Sequence, residues 1–194
     1  MSDLDDAGDA PVSGPADYAF ACVRSYVNGG RAPEPPEDAF YACRAACFVT
    51  LKKHGELRGC IGTLEPAEAS LGWEIARNAR SSAMSDPRFP PVASEEVDAL
   101  TCSVDVLGRS EPCTVADLEP QTYGVIVEAG FRRGVLLPAL TGVDTVDLQV
   151  SIARQKAGIA DDQPFDVRRF RVTRFRQGDA PAAAGNPAGA PSDD

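Results

Sequence analysis

Apolar positions along the chain switch repeatedly between two spacings. Ala19, Cys22, Val23 and Tyr26 recur at i, i+3, i+4 and i+7, which predicts a helix from Asp17 to Asn28 that Gly29 and Gly30 end. After the proline-rich connector RAPEPPED, Ala39 to Ala46 reads as a short helix running directly into CFVTLKK, a β-forming segment. His54-Gly55 is the turn of a hairpin, and ELRGCIGTL returns as the antiparallel partner, closed by Pro66. Leu71, Ile75, Ala79 and Ala83 then line one side of a helix predicted over Ser70 to Met84. Pro87, Pro90 and Pro91 forbid its continuation and predict a stiff, extended DPRFPP segment.

The spacing falls to two in LTCSVDVLG, with Leu100, Cys102, Val104 and Val106 on one face and Thr101, Ser103 and Asp105 on the other, as in a half-buried strand. A loop through Pro112 and Pro120 leads to a second hairpin, YGVIVEAGFRRGVLLP, turning near Gly130. Asp144 to Ala157 reads as a helix stopped by Gly158, and FDVRRFRVTRFR closes the body as one strand. This order has neither βαβ alternation nor internal repeats. It predicts an α+β fold of largely antiparallel sheets with packed helices, in two closely packed subdomains each seeded by one hairpin.

With 194 residues, 43% apolar and 25% charged, the chain can bury one ordinary core. The net charge of −10 is concentrated at the ends: seven Asp and no Lys or Arg fall in residues 1–15 and 177–194, which leaves −3 on residues 16–176. The ends read as disordered tails flanking a single domain over residues 16–176. No apolar run is long enough to span a membrane, and nothing in MSDLDDAGDAPVSGP resembles a secretion signal, so a cytoplasmic location with no membrane partner is expected. Reduced thiols follow for Cys22, Cys43, Cys47, Cys60, Cys102 and Cys113. With no CxxC pair and a single His, no metal site and no cofactor is expected; Cys43 and Cys47 alone share a helical spacing. Arg168, Arg169, Arg171, Arg174 and Arg176 alternate across both faces of the last strand, which fits a charged edge strand better than a nucleic-acid surface.

Two constellations carry chemistry. In LRGCIGT, two glycines inside a strand weaken it unless a ligand or another backbone approaches closely there. Strict alternation puts Arg58 and Cys60 on one face, where a guanidinium beside a thiol favours the thiolate. The competing reading makes Cys60 a small buried filler and the glycines room for a packed helix. In DPRFPP, Arg88 would bind an anionic group with Asp86 orienting it and Phe89 beside it, or the pair would clamp the loop to the sheet from within. His54 lies roughly 20 Å of strand from Cys60, at ~3.3 Å per residue, which excludes Cys-His catalysis.

These residues, with CFVTLKKHGELRGCIGTLEP, SDPRFPPVASEE, CSVDVL, YGVIVEAGFRRGVLLPAL and RQKAGI in the same order, resemble the AMMECR domain family, whose prokaryotic members are called AmmeMemoRadiSam system protein A. The resemblance implies two packed subdomains in a cytoplasmic protein. By genomic company, it also implies association with a Memo-type protein and a radical SAM enzyme. Arg58, Gly59, Cys60 and Gly62 fall in its signature, and Asp86, Arg88 and Phe89 in its second block. Tyr123 stands where many members have His, and Asp105 where Ser is common. A phenol of ordinary pKa about 10 is a poor base near neutrality. Two functions stay open: a binding module whose glycine-bearing strand and DPRF loop dock a partner, and an enzyme or enzyme subunit using Cys60, activated by Arg58, as nucleophile or redox thiol.

Overall fold

The computed structural model describes residues 14–180. The opening helix, α1 (Pro15–Val27), carries proline in its first turn, where the missing N–H is no loss. The helix expected over Ala39 to Ala46 is shorter, α2 (Ala39–Ala42). Asp38 caps it by accepting from the Phe40 N–H at 2.7 Å, and Cys43 is already extended. Cys43 and Cys47 therefore share no helical face, because Cys47 opens a strand.

The first sheet contains β1 (Cys47–Lys53), β2 (Glu56–Gly62), β3 (Leu100–Leu107) and β8 (Val172–Arg176) in the order β2-β1-β3-β8, all antiparallel. His54 (φ 52°) and Gly55 (φ 86°) form the tight β1–β2 turn, both left-handed as such a hairpin requires. Helices α1 and α3 (Leu71–Met84) cover one face of this sheet. Val49, Leu51, Val104, Val106 and Phe175 pack there against Leu71, Ile75, Ala79 and Ala83, so the predicted helix stripe is buried.

The second sheet contains β4 (Glu111–Cys113), β5 (Gly124–Ala129), β6 (Arg132–Leu136) and β7 (Asp166–Phe170) in the order β4-β7-β5-β6, also antiparallel, with α4 (Val146–Ala157) on one face. Its core is Val125, Val127, Leu136, Val150 and Ala153. Ala46, Leu107, Ile126 and Phe170 form a third apolar cluster, with Phe48 of the first sheet and Val135 of the second packed against it. The architecture is α+β with two antiparallel four-stranded sheets, and the two hairpins lie in different sheets.

Three expectations change. FDVRRFRVTRFR is not one strand: it breaks at Arg171, with β7 interior to the second sheet and only β8 at an edge. The loop through Pro112 contains β4, an edge strand, where proline's missing N–H is tolerated. The DPRFPP segment turns rather than extends, the Phe89 N–H donating to the Asp86 carbonyl at 3.1 Å, and a 3-10 helix follows over Ser94–Ala99.

Of the tails, residues 1–13 and 181–194 lie outside the described residues. Residues 177–180 are described and attached: Gln177 Oε1 accepts from the Cys102 N–H at 2.9 Å, and the Gly178 N–H donates to the Asp17 carboxylate at 3.1 Å. No helix among the described residues is long and apolar enough to cross a membrane.

Candidate functional site

The glycines of β2 are filled by the protein itself. A Cβ on Gly59 would lie 2.2 Å from the Ser82 carbonyl oxygen of α3, and one on Gly62 would lie 2.3 Å from the Phe48 ring. Room for a packed helix is thus what Gly59 provides. The close approach lets polar side chains of α3 reach strand backbone. Ser82 donates to the Val49 carbonyl at 2.7 Å and accepts from the Ile61 N–H at 2.8 Å, while Asn78 Nδ2 donates to the Cys47 carbonyl at 3.0 Å. Gly59→Ala is expected to destabilise the fold by about 2 kcal/mol, because the obstructing atom is backbone and cannot rotate away. A urea unfolding curve checks this, and a loss under about 0.5 kcal/mol would mean that α3 shifts freely.

Arg58 is turned away from the expected face by a β-bulge. The register pairs Gly59 with Leu51 and Leu57 with Lys52, leaving Arg58 without an opposite residue. Its Nη2 and Nε donate to Glu96 at 2.9 and 3.2 Å, and Nη1 donates to the Pro90 carbonyl at 3.0 Å. Glu96 also receives Lys53 Nζ at 2.9 Å, and these two cations hold its carboxyl down at about 2. The Arg58 guanidinium is therefore satisfied by Glu96 and the proline loop, and no hydrogen bond joins it to Cys60. The activating contact expected from alternation is absent because the bulge breaks the alternation.

Asp86 and Arg88 form a clamp. Asp86, 4% exposed, accepts from the Cys60 N–H at 2.9 Å and from the Arg88 N–H at 3.1 Å. Arg88 returns Nε and Nη2 to the same carboxylate at 2.9 and 2.7 Å, and Nη2 also donates to the Cys60 carbonyl at 2.9 Å. The Arg88 hydrogen bonds, followed by those from backbone N–H groups, hold the Asp86 carboxyl well below the usual carboxylate range. Phe89 lies between the two arginines, its ring centre 6.0 Å from the Arg58 guanidinium and 5.5 Å from that of Arg88. The structure brings Arg58, Cys60, Asp86, Arg88 and Phe89 together, with both backbone groups of Cys60 gripped from the loop.

The Cys60 side chain points away from α3, onto the face of the first sheet opposite the helices, which the second sheet covers at Phe48. Its Sγ is 3.2 Å from Thr50 Oγ1. The register continues the row from Thr50 to Ser103 and Arg176, and sets beside it the row Gly62, Phe48, Asp105 and Arg174. Asp105 is buried, and Arg174 grips it with two bonds of 2.6 Å. Thr50, Lys52, Ser103, Arg174 and Arg176 line an open shelf of about 480 Å³. Asp105 is legible in the sequence as a polar position of its strand and a departure from the family pattern, but the pairing with Arg174 depends on the β3–β8 contact, which no local pattern reveals.

The other thiols are elsewhere. Burial pushes Cys22 and Cys47 up to about 12 and raises Cys43, Cys102 and Cys113 as well. His54 is exposed at the hairpin tip, and no cluster of metal-ligating side chains occurs among the described residues. Tyr123 accepts a hydrogen bond from Arg171 Nη2 at 2.7 Å, and the guanidiniums of Arg169 and Arg171 stand 4.4 and 4.6 Å from its ring centre, so it anchors the β7–β8 crossing. The site offers one thiol, hydroxyls, a buried carboxylate and several cations on a rigid sheet.

Comparison with known proteins follows the same outline. A Thermotoga maritima protein is 45% identical over 165 residues, covering 82% of this chain and 95% of its own length. A Clostridium acetobutylicum protein is 45% identical over 159 residues and 80% of this chain, but the match covers 34% of that longer protein. A solved structure, an uncharacterised protein from Pyrococcus horikoshii, matches with a TM-score of 0.73 at 28% identity, over 87% of this chain and 91% of that one. The AMMECR1 family model matches residues 16–178, a span that contains both sheets and every candidate residue, and the chain belongs to the AMMECR1 family.

Proposed function

We propose that this chain is a binding module that works with a Memo-type protein and a radical SAM enzyme, and that the open shelf beside Thr50, on the face opposite the helices, is its contact surface. The observation that carries this reading is the internal use of the signature residues: Arg58, Asp86 and Arg88 are engaged by Glu96 and by the Cys60 backbone. They stiffen the strand under the face and leave Lys52 and Arg176 on the shelf to meet acidic side chains of a partner. A domain that makes up 34% of the length of a Clostridium relative is the arrangement expected of an accessory module. Co-purification with the Memo-type and radical SAM proteins of the same cell tests it. Wild type is expected to retain them and Lys52→Glu/Arg176→Glu to lose them; equal recovery with both chains, or none with either, would sink the reading.

A second reading makes Cys60 a nucleophilic or redox thiol. It is favoured by the half-buried position of this side chain, against the Thr50 hydroxyl, while Cys22, Cys47 and Cys102 are buried in the core. Iodoacetamide alkylation of the native protein, followed at each cysteine by peptide mass spectrometry across pH, is expected to label Cys60 first. Cys60→Ser with full activity in the assembled system would reject the thiol chemistry and leave the binding module.

A further inference from the structure

We propose that the cleft between the two sheets, on residues separate from the shelf of Lys52 and Arg176, binds a small organic anion: a carboxylate on an apolar body. The cleft encloses about 280 Å³, near the small end of ligand pockets. Leu107, Ile126, Val135 and Phe170, from the apolar junction of the two sheets, line its floor. Arg44, Arg109 and Arg133 line its rim.

These guanidiniums are under-used. Arg44 Nη2 donates only to the Pro66 carbonyl at 3.1 Å. Arg109 has no charged or hydrogen-bonding partner among the described residues, although it lies at the mouth of the cleft. Arg133 contacts Glu65 across the cleft and sets Nε 3.2 Å from Glu128 Oε1, yet that buried N–H lacks an aligned acceptor. Ser110 Oγ, also on the rim, accepts from Arg168 Nε at 3.1 Å and keeps its own proton to donate.

Charge and shape together choose the ligand class. Three guanidiniums and one carboxylate, Glu65, line the cleft, and Arg133 is the one paired with Glu65 and Glu128, so Arg44 and Arg109 are left without a carboxylate partner. A carboxylate answers that excess, and its plane fits the guanidinium fork. A bare inorganic anion would leave the apolar floor wet, whereas a neutral apolar molecule would leave the Arg109 charge unmatched. The occupant therefore has an apolar end of roughly fragment size and a carboxylate at the rim.

The test uses the full chain and phenylacetate as probe, titrated by isothermal calorimetry beside phenylacetamide and inorganic phosphate. Phenylacetate is expected to bind with a Kd of about 1 mM or tighter. The amide and phosphate are expected to bind about tenfold more weakly. Arg109→Glu, at an exposed position with no internal partner, is expected to weaken phenylacetate about tenfold with an unchanged thermal midpoint. No heat with phenylacetate, equal binding of phosphate or of the amide, or undiminished binding by Arg109→Glu would overturn the proposal. Because Cys60, Lys52 and Arg176 are outside the cleft, these outcomes are independent of the partner-binding test.

Discussion

Glu74→Ala is expected to lower the stability of the folded chain by about 4 kcal/mol, which for a domain of this size moves the thermal midpoint by about 10 °C. Glu74 is wholly buried, with no salt-bridging cation among the described residues. Its charge is satisfied by donors instead: the Thr63 hydroxyl at 2.6 Å, the Ala67 N–H at 2.8 Å and the Glu68 N–H at 2.7 Å. One side chain of α3 thus fixes the loop leaving β2. Truncation to alanine removes these three hydrogen bonds and a longer fourth from Asn78 Nδ2 at 3.5 Å, and opens a cavity beneath that loop; each orphaned donor costs about 1–3 kcal/mol unless water reaches it. Glu74→Gln keeps the volume and one acceptor oxygen, so about half the loss is expected. Urea unfolding at neutral pH measures both. A loss below about 1 kcal/mol for the alanine variant would mean that water replaces the carboxylate and the loop does not depend on it.

The second large effect concerns Asp86 and has a defined pH dependence. Its folded-state carboxyl is held well below the usual range, mainly by Arg88, whereas in the unfolded chain it titrates near about 3.9. A depressed folded value means that the contribution is fully present above about pH 4 and is lost as pH falls through the folded value. Glu96, held at about 2 by Arg58 and Lys53, adds to the same acid limb. Asp86→Ala is expected to cost about 3 kcal/mol at pH 7, because the half-buried Cys60 N–H and the Arg88 guanidinium both lose their acceptor. Asp86→Asn keeps the shape but not the charge, so its stability is expected to fall less steeply than wild type between about pH 5 and pH 2. Parallel acid limbs for wild type and Asp86→Asn would show that Asp86 titrates alike in both states.

What the pattern of residues revealed, and what it concealed, divides by the range of the interaction. Helices and hairpins whose signals are local were legible: the stripe Leu71, Ile75, Ala79 and Ala83 is buried as its spacing requires, and His54-Gly55 turns the hairpin. The clamp of Asp86 and Arg88 was one of two open readings, and the helix-packing role of Gly59 was another. Missed features needed contacts between distant elements. The bulge that turns Arg58 toward Glu96 is one extra residue in a register, and register has no signature inside a single strand. Asp105 and Arg174 are 69 residues apart and meet only because β8 pairs with β3. The polar row Glu74, Asn78 and Ser82 lies on the same helix as the apolar stripe. It is buried as well, because α3 sits close enough for these side chains to reach strand backbone and the β2 loop.

The break at Arg171 sets the order in which the molecule can be completed during synthesis. Strand β7 lies between β4 and β5, and β8 is the edge beside β3, so the last two strands among the described residues enter different sheets. Until Asp166–Phe170 is made, β4 and the β5–β6 hairpin have nothing between them, and the second sheet lacks its middle. The first sheet can pair β1, β2 and β3 early, but β3 keeps an open edge until Val172–Arg176 arrives. Neither half is complete until residues 166–176 are made. Closing either sheet is thus deferred to the last two strands of the fold, and until they are made β3, β4 and β5 each present an unpaired edge open to pairing with another chain.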